Sequence, residues 1–167
     1  MIIRRLLPSY WQQLREIRLE SLKEAGFAFG SSYENEVKFS DRQWQDLLSS
    51  EESFYFAAIT IANEIAALAG IRRYPNKQWF VVGVYVKPKH RGQGVIQQLL
   101  KYLIEYNQEM VLNSGFPLAL TVIISNVSAI RIYQQLGFKI MQQLEPRQMG
   151  DGSLSAEYRM ELIISEK

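Results

Sequence analysis

Between Trp79 and Met110 the chain changes its hydrophobic period, and a basic, glycine-spaced turn marks the change. "WFVVGVYV" is a run of β-branched and aromatic residues, a strand that Pro88 stops, and Gly83 inside it predicts a bulge or a close backbone approach. "VIQQLLKYLIEYNQEM" repeats its apolar residues at helical spacing, predicting a helix from about Gly92 to Asn113. Between them "KPKHRGQG" gathers Lys87, Lys89, His90 and Arg91, then Gly92 and Gly94. A strand, a glycine turn and a helix in that order make an anion cradle. The first N–H groups of a helix have no internal partner and carry partial positive charge. Glycine lets the backbone approach a ligand closely, and Lys and Arg add charge.

Three nucleotide-type sites use such a unit, and a solvated basic turn is the ligand-free alternative. A Walker loop requires G-x-x-x-x-G-K-[ST], which does not occur. A dinucleotide fingerprint requires G-x-G-x-x-G. Gly92 and Gly94 supply its first half, but Gln97 stands at the third glycine. Its acidic residue, expected roughly 20 positions on, is also missing, since Glu105 and Glu109 come too early and on the helix. The pyrophosphate arm of coenzyme A is the third reading.

Composition removes other chemistries. The chain of 167 residues suits one core, and no repeat, low-complexity tract or linker divides it, so one domain over 1–167 is expected. Cysteine is absent, which removes disulfides, thiolate metal sites and a Cys nucleophile. The lone histidine, His90, expected to be exposed, argues against a Ser-His-Asp triad or a multi-histidine metal site, and no metal is expected. A net charge of +2 is too small to indicate nucleic acid or a membrane surface. Arg4 and Arg5 break the N-terminal apolar stretch and no run of 18 apolar residues occurs, so a soluble, cytoplasmic protein is expected.

The remaining segments follow from period and punctuation. "MIIRRLL" reads as a short strand ending at Pro8, and "SYWQQLREIRLESLKEA" as a helix stopped by Gly26. "GFAFGSSYENEVKF" has weak periodicity, with Ser31 and Glu34 fitting S-x-x-E, and Ser40 with Gln43 predicts a capped short helix. "SFYFAAITIANEIAALAGIRRY" predicts a hairpin turning at Asn63. "LALTVIIS" is a strand buried on both faces, and "FKIMQQLE" and "SLSAEYRMELII" form a last hairpin about Gly150-Asp151-Gly152. The predicted order β-α-α-β-β-β-α-β-α-β-β places the fold in the α/β or α+β class, around one mixed sheet.

A second motif lies in "NVSAIRIYQQLGF", where Asn126, Ala129, Tyr133, Gly137 and Phe138 define N-x-x-A-x-x-x-Y-x-x-x-G-F. Read alone it is an amphipathic helix with Asn126 as N-cap and Gly137 just past its end. Read with the basic turn one strand earlier, the chain resembles the GNAT family of N-acetyltransferases. "VYVKPKHRGQGVI" is similar to the family's V-x-P and R-x-x-G-x-G/A signature, matched by Arg91 and Gly94. "LTVIISNVSAIRIYQQLGF" is similar to its next strand and helix, and the likeness in element order covers nearly the whole chain. Ile96 departs from the last small residue of the signature, and Gln135 stands where the family often has a lysine.

The resemblance implies the acyl-CoA N-acyltransferase fold, a mostly antiparallel central sheet flanked by helices. It implies acetyl-CoA as co-substrate and direct transfer to a primary amine. The backbone N–H groups of Gly92, Gln93, Gly94, Val95 and Ile96 would hold the pyrophosphate, with Lys87, Lys89 and Arg91 at its rim. Ile96 is expected to turn its side chain into the core. The pantetheine arm would pair like a strand with Val84, Tyr85 and Val86. The Asn126 amide would bond that arm, and the Tyr133 hydroxyl would protonate the departing sulfur. Without a ligand, Asn126 is a cap and Tyr133 a half-buried aromatic. Phe29, Tyr33, Glu34 and Glu36 are candidates for the acceptor side, the two glutamates also as bases. The acceptor is a small-molecule or peptide amine, and a monomer or a homodimer is expected. Two alternatives stay open: a CoA-binding module with little turnover, and nucleic-acid binding through the basic turn, which four clustered cationic positions support only weakly.

Overall fold

The computed structural model describes residues 1–111 and 115–164. Its elements are β1 (Ile2–Arg5), α1 (Trp11–Ala25), α2 (Tyr33–Glu36), α3 (Asp41–Ser49), β2 (Ser53–Ile59), β3 (Ile65–Arg73), β4 (Trp79–Val86), α4 (Val95–Val111), β5 (Ala119–Ile123), α5 (Val127–Gln135), β6 (Phe138–Gln148) and β7 (Leu154–Leu162). They form one seven-stranded sheet in the order β1-β2-β3-β4-β5-β7-β6. Among the described residues the β4–β5 pairing is parallel and the other five are antiparallel. The expected mixed, mostly antiparallel sheet flanked by helices is therefore present.

Period-two alternation divides the core between the two faces of the sheet. On β2, Phe56 and Ala58 point to the α4 side, while Tyr55, Ala57 and Ile59 point to the α1 and α3 side. Leu99, Leu100 and Leu103 of α4 and Ile130 and Tyr133 of α5 fill the first layer. Leu14 and Ile17 of α1 and Trp44 and Leu48 of α3 fill the second. Both layers are needed, because the central strands β2 and β3 are buried along almost their whole length.

Local chemistry sets most boundaries. Ser40 and Gln43 form the expected reciprocal capping box of α3, with bonds of 3.2 and 2.8 Å. Asn126 caps α5 by accepting from Ala129 N–H at 3.2 Å. Asn63 adopts φ 61° in the β2–β3 turn, and Gly137, with φ 97°, follows the end of α5.

Several sequence readings are corrected. The stretch of weak periodicity contains a one-turn helix, α2, and its cap is Ser32 accepting from Asn35 N–H, not Ser31 with Glu34. Helix α4 begins at Val95 rather than Gly92, because Gly92 and Gly94 both hold φ 72°, which no right-handed helix admits. The end expected at Asn113 lies outside the described residues. Strand β6 runs past Glu145 and Pro146 to Gln148. It tolerates the proline because β6 is the sheet edge and its register shifts between Leu144 and Arg147. His90 is half-buried, with Nε2 shielded and without a protein partner among the described residues.

The β6–β7 turn folds back onto the segment between α1 and α2. Gly150 N–H donates to the Phe29 carbonyl at 2.7 Å, and a Cβ on Gly150 would collide with the Ser31 carbonyl oxygen. Gly150→Ala is expected to push these two segments apart and to cost about 1–3 kcal/mol, as overpacking does. The check is a lowered urea midpoint at unchanged m-value.

Candidate active site

The two parallel strands at the centre of the sheet part almost as soon as they meet. The β4–β5 ladder holds one registered pair, Phe80 with Ala119, and beyond it the strands diverge toward their carboxyl ends. A bulge accompanies the divergence. Leu68 pairs with Tyr85 and Gly70 with Val82, so Gly83 and Val84 together oppose the single residue Ala69. Gly83 has φ 62°, a conformation L residues avoid. The extra residue inverts the strand's alternation. Trp79 and Val81 face α4 before the bulge, Val84 and Val86 face it afterwards, and Tyr85 turns to the α1 side.

The gap is a cleft of about 490 Å³. Its lining includes Leu14 and Arg18 of α1 and Trp44 of α3 on one face of the sheet, and Asn126 and Tyr133 of α5 on the other. The cleft therefore passes through the sheet, and a ligand on each face can meet the other at Gly83.

On the α4 and α5 side the glycine turn is open. A Cβ at Gly92 or Gly94 would meet nothing within 4 Å. The Gly94 carbonyl accepts from Gln98 N–H at 3.2 Å, so α4 opens at Gly94 and the N–H groups of Val95, Ile96 and Gln97 have no intrahelical partner. Val95 is buried, and Ile96 is half-buried against the core rather than lying over the turn. Gln93 Nε2 donates back to the Lys89 carbonyl at 3.1 Å.

Lys87, Lys89 and Arg91, expected at the rim of the turn, are paired within the protein. Lys87 lies 3.3 Å from Glu20 and 3.2 Å from Glu64, and Lys89 lies 2.7 Å from Glu64. Arg91 reaches Glu24 at 2.7 Å and donates to the Val86 carbonyl at 3.0 Å. The Tyr85 hydroxyl donates to Glu24 at 2.6 Å and Glu20 at 3.1 Å, and burial together with these carboxylates pushes its pKa up. Hydrogen bonds from Tyr85 and Arg91 hold the Glu24 carboxyl below its usual range. The side chain of Tyr85 is thus committed to α1, while the backbone of Val84, Tyr85 and Val86 lies on the diverging strand. Asn126 lines the cleft while its Oδ1 serves as cap. Tyr133, two helical turns on, lines it too and packs edge-on to Phe138 at 6.0 Å. Burial pushes its phenol pKa up, so the hydroxyl keeps its proton at neutral pH.

On the α1 and α3 side the candidates separate. Phe29 and Glu36 line the cleft. Tyr33 and Glu34 do not: Tyr33 stacks under Lys23 at 4.4 Å, and Glu34 is exposed at the start of α2. Glu36 is buried in a two-bond pair with Arg18, at 2.9 and 2.7 Å. A matching pair joins Glu157 of β7 to Arg147 of β6, at 2.6 and 3.2 Å, and both also line the cleft. Among the described residues no group of three His, Cys, Asp or Glu is placed to hold a metal. No described helix is long and apolar enough to cross a membrane.

A family model described as "Acetyltransferase (GNAT) family" matches residues 11–138, which contain the glycine turn and, in the cleft lining, Val84, Asn126 and Tyr133; Tyr85, Val86 and residues 91–96 are not among the lining residues. The chain belongs to the GNAT family of acetyltransferases. No curated protein matches it by sequence. Among solved structures, a GNAT-family acetyltransferase from Streptococcus pneumoniae superposes with TM-score 0.77 at 21% identity, over 98% of this chain and 99% of that one. The ribosomal-protein-alanine N-acetyltransferase of Brucella melitensis gives 0.75 at 20% identity, over 98% and 100%. NAA60 of Arabidopsis thaliana, solved in complex with acetyl-CoA, gives 0.74 at 16% identity, over 99% of both chains. These likenesses show the GNAT fold.

Sequence reading missed Arg18, Trp44, Arg147 and Glu157. Arg18 and Trp44 sit in ordinary amphipathic helices, and Arg147 and Glu157 in a hairpin whose pairing only the fold reveals. The one available signal was the glycines at 26, 30 and 150, which mark close approach of those segments to each other. For Ile96, half-buried against the core, Ile96→Ala is expected to cost about 2 kcal/mol, the low end for a truncated aliphatic core residue. Chemical denaturation measures it, and an undiminished midpoint would place the side chain over the turn instead.

Proposed function

We propose that the chain, as one domain, transfers the acetyl group of acetyl-CoA directly to a primary amine. The observation that carries this reading is the cleft through the sheet, with the open glycine turn and Tyr133 on one face and a charged, aromatic chamber on the other. A cofactor carrying a pyrophosphate suits the turn, because Gly92 and Gly94 leave its outer side open and the first N–H groups of α4 lack intrahelical partners. The paired state of Lys87, Lys89 and Arg91 puts the weight of phosphate binding on the backbone.

When bound, acetyl-CoA supplies a thioester whose C–S bond breaks as the C–N bond to the amine forms. The protein's own groups then have distinct tasks. The backbone of Val84, Tyr85 and Val86 offers strand-like hydrogen bonds, since β5 has moved away from it. Asn126 offers its amide N–H groups, its oxygen being engaged as cap. Tyr133 would give its hydroxyl proton where negative charge grows on sulfur, and the proton the amine loses as the C–N bond forms would pass to water, which restores the phenol. Glu36 and Glu157 hold their arginines rather than acting as free bases, because each receives two guanidinium N–H bonds. That same observation favours the second reading, a module that binds acetyl-CoA with little turnover. Thiol release across a panel of amines separates the two.

Two variants test the assignment. Acetyl-CoA at a hundredfold excess over Kd is expected to stabilise the wild type by about 2.7 kcal/mol. Gly94→Val places a β-branched residue at positive φ and is expected to lose most of that shift. Equal ligand shifts in both proteins would remove the turn from the binding site. Tyr133→Phe keeps the ring and removes the proton, so kcat is expected to fall about 10²-fold with acetyl-CoA affinity retained. Turnover within about twofold of wild type, with chemistry rate-limiting, would leave Tyr133 a packing residue only.

A further inference from the structure

The chamber on the α1 and α3 side carries an excess of positive charge. Arg18, Arg72 and Arg147 line the cleft against only two acids, Glu36 and Glu157. Both acids are already taken, each by the Nε and Nη2 of one arginine. Arg72 has no carboxylate at ion-pair distance among the described residues, and its Nη2 makes one long contact, 3.4 Å, to the Tyr55 hydroxyl.

Two further donors in the lining lack partners. Arg18 Nη1 is buried without a protein partner among the described residues, and it lies 3.7 Å from where a Cβ on Gly83 would stand. Trp44 is wholly buried, and its Nε1 likewise has no partner among them. The Arg18 guanidinium is capped by the Phe29 ring at 4.9 Å, which fixes its plane beside the gap. Buried donors are rarely left unpaired in proteins, and a set of them with no acceptor to match is completed by an acceptor-rich ligand. An ionised carboxylate is acceptor-only and suits a guanidinium best.

We propose that the amine acceptor carries an anionic group, in the simplest case a carboxylate, received by Arg18, Arg72 and Trp44 on the α1 and α3 side of the cleft. This rests on the reading of the chain as an amine acetyltransferase. It makes amino-acid-like molecules the substrate class. Polycationic amines are disfavoured, since their second charge would meet Arg72 and find both carboxylates occupied.

The test uses matched compounds: L-amino acids with apolar, aromatic and polar side chains, each beside its α-amide and its decarboxylated amine, with spermidine as the polycation. Two readouts are taken, kcat/KM by thiol release and equilibrium binding to protein saturated with CoA. The carboxylate member of at least one set is expected to lead its amide and amine roughly tenfold to hundredfold in both, as for hydrogen bonds to a charged group. Arg72→Gln, at an exposed position, is expected to erase most of that preference by lowering use and binding of the carboxylate far more than of its decarboxylated amine. The paired variant Arg18→Gln with Glu36→Gln, which leaves no lone buried charge, is expected to do the same. Equal or better use of amides, amines or spermidine overturns the inference and leaves acetyl transfer standing. A carboxylate preference that survives both variants also overturns it. A carboxylate preference in binding without thiol release from any compound supports it and overturns turnover instead. Neither binding nor release by any compound overturns both.

Discussion

The separation of β4 from β5 is the constraint on which the rest of this structure depends. Two parallel strands at the middle of a sheet normally pair along their length, and leaving them apart exposes backbone groups that water or a ligand must satisfy. Here the bulge at Gly83 and Val84 turns β4 away after a single registered pair, Phe80 with Ala119. The sheet does not split into two, because the Phe80–Ala119 pairing still joins β4, held by β3, to β5, held by β7. The result is a gap at the carboxyl ends of two strands, the place where open sheets with parallel strands bind ligands. The core layers on both faces keep the gap in register with α5 on one side and α1 on the other.

Ion pairs fasten the walls of that gap. Arg18 with Glu36 ties α1 to α2, and Arg147 with Glu157 ties β6 to β7. The largely buried Arg18–Glu36 pair adds little net stability, since desolvation offsets much of its attraction, but removing one partner leaves a charge stranded; in the second pair Glu157 is buried and Arg147 half-exposed. They define geometry more than they hold the fold together. The glutamates of α1 act in the same way on the glycine turn: Glu24 and Glu20 draw Arg91, Lys87 and the Tyr85 hydroxyl toward α1 and orient the end of β4. A turn that reads as strongly basic is thereby close to neutral, and its open backbone and the unpartnered N–H groups of the helix start are what it still presents.

Much of this was legible residue by residue. The two strand-like runs in "SFYFAAITIANEIAALAGIRRY" and the Asn63 turn predict the β2–β3 hairpin, Ser40 and Gln43 predict a cap, and Gly83 predicts the bulge, because each rests on contacts within a few residues. The glycine turn, Asn126 and Tyr133 were readable for the same reason; Asn126 and Tyr133 line one cleft, and the turn is open on its outer side. Tyr33 and Glu34 lie outside the cleft lining because they sit on a one-turn helix that packs Tyr33 under Lys23 and leaves Glu34 exposed, which weak periodicity does not reveal. The insertion of β7 between β5 and β6, which brings Glu157 to the cleft, follows from no local pattern.

By itself the sequence determined the order of elements, the glycine turn before α4 and the motif pair that identifies a GNAT acetyltransferase, since period, caps and glycines act over short spans of chain. Only the tertiary structure decided which charges are free. Lys87 meets Glu64 across the sheet, Arg18 meets Glu36 between helices, and Arg147 meets Glu157 across a hairpin, while Arg72 meets none among the described residues. Charge pairing depends on distances of a few ångströms between residues far apart in the chain, and attraction at that range is set by the fold and by the water it excludes.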